Sequence, residues 1–327
     1  MQIHTRFVTA PFVSVVVPTF NRPEALAACV QAIVRQDYPR DRLEVIVVDD
    51  GSLMPVTVSG RESQHDVPIR VLRQSNAGPA SARNLGAQHA RGDMLAFTDD
   101  DCMPAPQWLR ELAHAFHGVP GKLIGGRTVN ALVDNLYSAA SQIIVDEAYA
   151  YFLSRESDLK FFASNNMAMS AEHFHENGGF DPSFRTAEDR DFCDRWIRRG
   201  HLVEYAPEAI VYHQHRLTLA AFWRQHFNYG RGAYRFHRVR AQRSGSRLRP
   251  DLRFYASVCR RSLFTPFSWK SVGMAGLLGV WQGANLAGFL WQGVCQNHPT
   301  PRLTHDQGPS QAAGARCAAL NREERAD

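Results

Sequence analysis

Three consecutive carboxylates, Asp99-Asp100-Asp101, follow the apolar run Met94-Leu95-Ala96-Phe97. Carboxylates crowded in this way repel one another and resist burial, so something must compensate them. A divalent cation does so economically, because hard cations take carboxylate oxygens. The plainer reading is a solvated acidic turn ahead of a helix starting near Pro104, where acids also suit the helix dipole. A second acid pair, Glu188-Asp189, stands near the start of a helix that runs to Arg199 and stops at Gly200. Thr186 with Asp189 three residues on has the spacing of a capping box, which gives the pair a structural purpose. His213 and His215 flank Gln214 in an extended segment, so both imidazoles face one way. Alone they are a weak zinc signal. One of them joining an Asp99/Asp101 cation is the more useful hypothesis.

These groups need elements to hold them. Val13-Ser14-Val15-Val16-Val17 reads as a strand buried on both faces of a parallel sheet. Pro18-Thr19-Phe20-Asn21-Arg22 follows it, and Pro23 opens a helix to about Val34. Leu43 to Val48 is the next strand, ending in Asp49-Asp50-Gly51-Ser52, and Ile69 to Leu72 is a third. Gly78 to Ala90 is a small-residue helix, and Asp93 to Thr98 is the fourth strand. Beyond a helix to about His117 come a strand over Lys122 to Val129, a helix or flap over 131–158 and a strand over Phe161 to Met169. Leu202 to Tyr205 and Ile210 to Tyr212 are short strands. The alternation predicts an α/β, Rossmann-like fold with a mostly parallel central sheet and helices on both faces. In such sheets ligands bind outside the carboxyl ends of the strands. Pro18 to Arg22, Asp49 to Ser52 and Asp99 to Asp101 all fall there, which makes the acid triplet a site.

Several chemistries are excluded. The first strand is not followed by G-x-G-x-x-G, so a dinucleotide site lacks its phosphate-binding turn, and no G-x-x-x-x-G-K-[ST] marks a P-loop. The acids follow the fourth strand and not the first, against a phosphatase built on an acidic pair. A cation with a nucleotide diphosphate remains, since the phosphate oxygens complete the cation's shell.

The composition is globular, with 44% hydrophobic and 21% charged residues in 327. The net charge of +5 hides an asymmetry: residues 1–215 carry 20 Lys+Arg against 27 Asp+Glu, whereas 216–261 carry twelve Arg and one acid, Asp251. Phe222, Trp223, Phe227, Tyr229, Tyr234 and Phe236 are interleaved with those arginines. Basic residues with aromatics can stack single-stranded nucleic acid or lie on anionic lipid. The uncharged stretch Val272 to Cys295 favours an anionic membrane surface over nucleic acid, although its glycines and amides make it a marginal membrane span or, equally, a core helix. Six cysteines without CxxC spacing suit a reducing compartment and free buried thiols. The first residues lack the basic-then-apolar plan of a signal peptide, so the body is expected at the cytoplasmic face. Residues 297–327 read as a disordered tail.

Val15 to Arg22, Val47 to Ser52, Asn76 to Asn84 and Phe97 to Asp101, in that order, resemble the nucleotide-sugar half of a family 2 glycosyltransferase with the GT-A fold. Gly178-Gly179-Phe180-Asp181 followed by Glu188-Asp189-Arg190-Asp191-Phe192 is similar to that family's acceptor half. The resemblance implies a nucleotide-sugar half over 12–104 and an acceptor half over 105–216, with 1–11 as an extension and 217–296 as the arm and apolar segment. It implies donor contacts from Pro18, Thr19, Asn21, Arg22, Asp49, Asp50, Arg83, Asp99 and Asp100. It also implies Mn²⁺ or Mg²⁺ on Asp99 and Asp101 with His213 or His215, and Asp189 as general base beside Glu188. The implied activity is inverting transfer of a sugar from a nucleotide-diphosphate sugar to a hydroxyl on a lipid-linked or cell-envelope glycan. Two other classes compete: a silent sugar-nucleotide or nucleic-acid binding module, against which the intact acids argue, and a nucleotidyltransferase, which would carry a glycine-rich basic loop after the first strand.

Overall fold

The structure is a computed structural model, and it describes residues 10–58, 67–117, 121–154, 159–245, 247, 252–263 and 269–297. The expectations for residues 1–9 and 298–327 lie outside the described residues. The chain forms two compact units, Met1–Arg216 and Leu217–Asp327.

The first unit runs β1 (Val13–Thr19), α1 (Pro23–Val34), β2 (Leu43–Asp49), β3 (Ile69–Arg73), α2 (Pro79–Gln88), β4 (Met94–Thr98), β5 (Cys102–Pro104) and α3 (Trp108–Phe116). It continues with β6 (Lys122–Asn130), α4 (Leu136–Phe152), β7 (Asn166–Ser170), α5 (Ala171–Glu176), α6 (Glu188–Arg198) and β8 (Leu202–His213). One sheet holds the strands in the order β3-β2-β1-β4-β7-β6-β8-β5. β3, β2, β1, β4, β6 and β8 run one way, and β7 and β5 run the other. The sheet is thus mixed, with the expected parallel block at β3-β2-β1-β4.

Every residue of β1 and β2 is buried, as their unbroken apolar runs require of strands covered on both faces. Val13, Val15 and Val17 pack with Leu26, Cys29 and Ile33 of α1 and Trp108 and Leu112 of α3 on one face. α2 covers the other face at Gly86, where a Cβ would lie 2.4 Å from Val16 and 3.1 Å from Val48. Only glycine lets this helix settle onto valines without overpacking.

Local readings needed correction at four places. β7 is limited to Asn166–Ser170, and the two short strands expected after Gly200 are one strand, β8, whose register with β6 shifts between Gly126 and Arg127. The capping box is absent: Ala187 takes the N-cap position with a left-handed φ of 69°, so Asp189 is not at the third helical position that Thr186 would need. β5 was not foreseen, since three residues beside an acid cluster show no periodicity.

In the second unit, α7 (Leu219–Ser244), α8 (Leu252–Leu263) and α9 (Trp269–Asn297) follow. A Cβ on Gly230 would lie 2.0 Å from the Asn285 carbonyl oxygen, and one on Gly288 1.9 Å from that of Phe227, so α7 and α9 touch backbone to backbone. Arg231 donates to Gln292 at 3.0 Å, Arg238 to Gln296 at 2.6 Å and the Tyr255 hydroxyl to Asn285 at 2.8 Å. The glycines and amides of Val272 to Cys295 are therefore helix-pairing groups, and among the described residues no helix is long and apolar enough to cross a membrane. The spanning form of the expectation is not met. Leu286, Leu290 and Val294, four residues apart in turn, remain exposed along α9. Cys29, Cys102 and Cys193 are free and buried as expected, whereas Cys295 is disulfide-bonded, a pairing in space that sequence spacing does not report.

Candidate active site

β1, β2 and β4 lie side by side with Thr19 opposite Asp49 and Val16 opposite Phe97, so the three polar clusters meet at one sheet edge. Each acid of the triplet has its own partners. Asp99, 30% exposed, accepts from Arg83 Nη2 at 2.6 Å. Asp100 is buried, accepting from the Thr19 hydroxyl at 2.7 Å and from Arg22 at 3.2 Å. Burial pushes its carboxyl up to about 6, against the pull of Arg22 and Thr19. Asp101 accepts from Arg22 at 2.9 Å and lies 3.3 Å from His213 Nε2. Burial works to raise Asp101, but His213 and Arg22 prevail and hold it well below the usual carboxylate range.

β5 explains how His213 arrives there. Cys102 pairs with His213 across the β5–β8 ladder, and Gln214 N–H donates to the Asp101 carbonyl at 2.8 Å. The His213 and His215 rings are 5.2 Å apart. Burial would lower His213, yet Asp101 raises it above its ordinary value, whereas burial and the His213 charge push His215 down to about 4. Of the two expected histidines, His213 is the one joined to the triplet. One donor atom each from Asp101, Cys102 and His213 lies within 4.8 Å of the others, a spacing that could enclose a cation. Burial and the neighbouring acids hold the Cys102 thiol well above its ordinary value, so with no cation beside it the thiol stays protonated. A carboxylate with an imidazole suits Mn²⁺ better than a soft metal, and the exposed side of Asp99 could supply more oxygen. The donor set therefore fits the expected cation.

The other donor-side residues shape loops around this edge. Asp49 accepts from Ser52 N–H at 2.8 Å and Arg73 at 2.9 Å; Asp50 accepts from Gln74 at 2.6 Å, Ala77 N–H at 2.9 Å and Gly78 N–H at 2.8 Å. Both carboxylates are buried and engaged in holding residues 51–56 and 74–78. Asn21, left-handed at φ 54°, donates its N–H to Ser52 Oγ and accepts from Leu53 N–H, each at 2.8 Å. Pro18 is buried in β1 opposite Val48.

α2 links the two halves through consecutive residues. Arg83, buried, donates to Asp99 and, at 3.0 Å, to Glu188. Asn84 donates to the Phe180 carbonyl at 2.7 Å and accepts from Phe180 N–H at 2.9 Å, which fixes the turn before α6. Glu188 and Asp189 thus share a charge network with the triplet. Burial and the Asp189 charge raise the Glu188 carboxyl, against Arg83; burial likewise raises Asp189, against Arg190. Asp189 accepts its neighbour's N–H, from Arg190 at 2.7 Å, the one hydrogen bond to its carboxylate among the described residues.

Two features had no sequence signal. Buried Asn166 accepts from Trp108 Nε1 at 2.8 Å and donates to the carbonyls of Arg127 and Ala209 at 3.0 and 2.9 Å, joining α3 to three strands. A cavity of about 350 Å³ is lined by Arg127, Thr128, Asp146, Tyr149, Leu153 and Tyr205 among others. Burial raises the Tyr149 phenol and the Asp189 charge adds to it, so the cavity wall lies within electrostatic reach of Asp189.

A Rossmann-like sheet with an acid cluster at its strand ends, joined to a second acid pair, defines a nucleotide-diphospho-sugar transferase of the GT-A fold. The chain belongs to Glycosyl transferase family 2, whose profile matches residues 14–178. It is a glycosyltransferase with a nucleotide-sugar donor. It is 28% identical over 228 residues to Glycosyltransferase AglE of Haloferax volcanii, covering 68% of this chain and 73% of that protein. It is 32% identical over 213 residues to the pre-mycofactocin glycosyltransferase of Mycobacterium tuberculosis, covering 63% of this chain but only 43% of that longer protein. In fold it is similar to the mannosyltransferase PcManGT from Pyrobaculum calidifontis, solved with GDP-Man and Mn²⁺, at a TM-score of 0.58 and 19% identity over 96% of this chain and 81% of that one. S. aureus TarS 1-349 gives a TM-score of 0.52 at 14% identity, over 90% and 94% of the two chains.

Proposed function

We propose that the protein is an inverting glycosyltransferase that moves a sugar from a nucleotide-diphosphate donor to a hydroxyl of a lipid-linked or cell-envelope glycan. The observation that carries this reading is the Arg83 fork, which ties Asp99 at the end of β4 to Glu188 at the start of α6. Asp99 and Asp101 with His213 would hold Mn²⁺ or Mg²⁺, as the Mn²⁺ and GDP-Man of the similar mannosyltransferase support. A divalent cation there supplies neutralising charge for the departing diphosphate.

The protein's own groups do the rest. Thr19 and Arg22 fix Asp100 beneath the donor, Asn21 with Asp49 and Asp50 sets the loops that receive the nucleoside, and Arg83 faces the diphosphate. The Asp189 carboxylate takes the acceptor's hydroxyl proton as the acceptor oxygen bonds to the anomeric carbon and the carbon–phosphate-oxygen bond breaks. No second nucleophile is required, so the displacement is single and the anomeric carbon inverts. Its raised affinity for protons strengthens Asp189 as a base relative to an ordinary carboxylate. The cavity at Tyr149 and Tyr205 receives the acceptor, whose hydroxyls meet Asp146 and Arg127. The second unit's arginines and the exposed Leu286, Leu290 and Val294 hold the enzyme peripherally at the inner face of the cell membrane.

A thermal-shift screen of nucleotide sugars with Mn²⁺ or Mg²⁺ tests the reading. At least one donor should raise the melting temperature only when the cation is present, and Asp101→Ala should abolish that rise. No stabilisation by any nucleotide sugar, or the same rise in Asp101→Ala, rejects it.

A further inference from the structure

The edge of the sheet opposite the acid triplet carries a second cluster of metal-ligand type. β7 runs antiparallel to β4 and ends at Ser170 beside Met94, the start of β4, whereas Asp99 follows its end. Ser170 caps α5 by accepting from His173 N–H, and the helix carries His173 and, three residues on, Glu176. On a helix that spacing places both side chains on one face. His201 joins them from the turn between α6 and β8. One donor atom each from His173, Glu176 and His201 lies within 4.8 Å of the others.

Three further observations separate this cluster from a chance surface meeting. Nδ1 of His173 is buried and has no hydrogen-bond partner among the described residues, although buried imidazole nitrogens normally find one. Room has been left around the rings: Gly121 sits at φ 77°, and a Cβ there would lie 2.7 Å from His201 Nδ1. Both imidazoles are positioned by Trp196 of α6, with ring centroids 6.1 Å from His173 and 4.9 Å from His201, and by each other at 5.0 Å.

We propose that His173, Glu176 and His201 form a transition-metal site, with zinc as its natural occupant. Two imidazoles and one carboxylate are the donor set of borderline metals, not of Mg²⁺, and three ligands leave one position for water. A metal here would join α5 to the α6–β8 turn. α6 carries Glu188 and Asp189 at its other end, so the site would act as a staple at the foot of the helix that presents the base. It is separate from the cluster of Asp101 and His213, which lies beyond the other end of β4.

The test uses the full-length, tag-free chain, stripped of metal and kept in excess Mg²⁺. Zn²⁺ binding is measured by calorimetry and melting, and Co²⁺ by its visible absorption. The wild type should bind one Zn²⁺ with a rise in melting temperature and give the intense absorption of tetrahedral Co²⁺. His201→Asn should weaken Zn²⁺ by at least about tenfold, a loss of one ligand worth 1.4 kcal/mol or more. Glu176→Gln, at an exposed side chain, should do the same while melting like the wild type without zinc. His213→Asn, at the other cluster, should keep the response. Absence of Zn²⁺ binding by the wild type overturns the proposal, as does a response that survives His201→Asn and Glu176→Gln or disappears in His213→Asn.

Discussion

Arg83 is buried between two carboxylates, and its guanidinium satisfies both at once. Lysine carries the charge but not the fork, so Arg83→Lys should keep the fold yet lose the tie between Asp99 and Glu188. Asp189→Asn separates base from scaffold more cleanly: donor affinity should hold while kcat falls by about 10²–10⁴-fold, the usual worth of a positioned base. The pair also sets a pH dependence. Glu188 and Asp189 are both raised above their unfolded values, so the folded state binds extra protons in that window. Stability from the pair therefore increases as pH falls through the raised values, is fully present below the ordinary carboxylate range of about 4, and is lost again as pH rises through the raised values. Activity is expected to run the other way, since the proposed base must be ionised. In Glu188→Gln the acid-side gain in melting temperature should shrink; an unaltered melting profile from pH 8 to 5 would contradict the assignment. The acids were legible as residues because charge crowding and strand-end position are visible in sequence. Their ion pairs were less so: a histidine was expected at the triplet and Arg22 and Arg83 on the donor, but the contacts of Arg22, Arg83 and His213 with these acids span from 16 to more than a hundred positions, distances that only the folded chain closes.

At the scale of elements, the site depends on how α2 sits. Arg83 and Asn84 lie within the turn preceding Gly86, whose hydrogen stands where a methyl would press on Val16. Gly86→Ala should cost about 1–3 kcal/mol by overpacking and also weaken donor binding, because the helix cannot lift from the sheet without moving Arg83. Denaturant unfolding together with donor titration checks both parts. Asn166→Ala should destabilise without touching the donor: it strands Trp108 Nε1 and the carbonyls of Arg127 and Ala209, at about 1–3 kcal/mol for each group left unsatisfied. The parallel block was readable from β-branched runs and turn residues. Antiparallel β7, three-residue β5 and the long β8 were not, because pairing direction and bulges depend on partners distant in sequence. The left-handed Ala187 at the head of α6 is the plainest case, since spacing alone favoured Thr186 as the cap.

At the scale of the whole molecule, an acidic catalytic body is followed by an arginine-rich helical unit with an exposed apolar row on α9. If that unit meets membranes, the full chain should co-sediment with vesicles containing anionic lipid and not with purely zwitterionic ones. Binding should fall as salt shortens the screening length from about 10 Å at 0.1 M to 3 Å at 1 M. Equal binding to both vesicle types would remove the electrostatic part of the proposal. The compositional break at residue 216 was plain in the charge count, whereas the pairing of α7 with α9 was hidden in glycines and amides that also resemble a poor membrane span.

The central claim joins cation, donor and base in one reaction, and turnover measures all three. Release of nucleoside diphosphate from the donor found by the stability screen should be followed with an acceptor glycan, for wild type and Asp189→Asn, with Mn²⁺ and after chelation. The account predicts wild-type turnover that collapses on chelation and returns with Mn²⁺, and a variant that binds the donor with cation but does not transfer. Turnover that persists in the chelated wild type or at full rate in Asp189→Asn would contradict it.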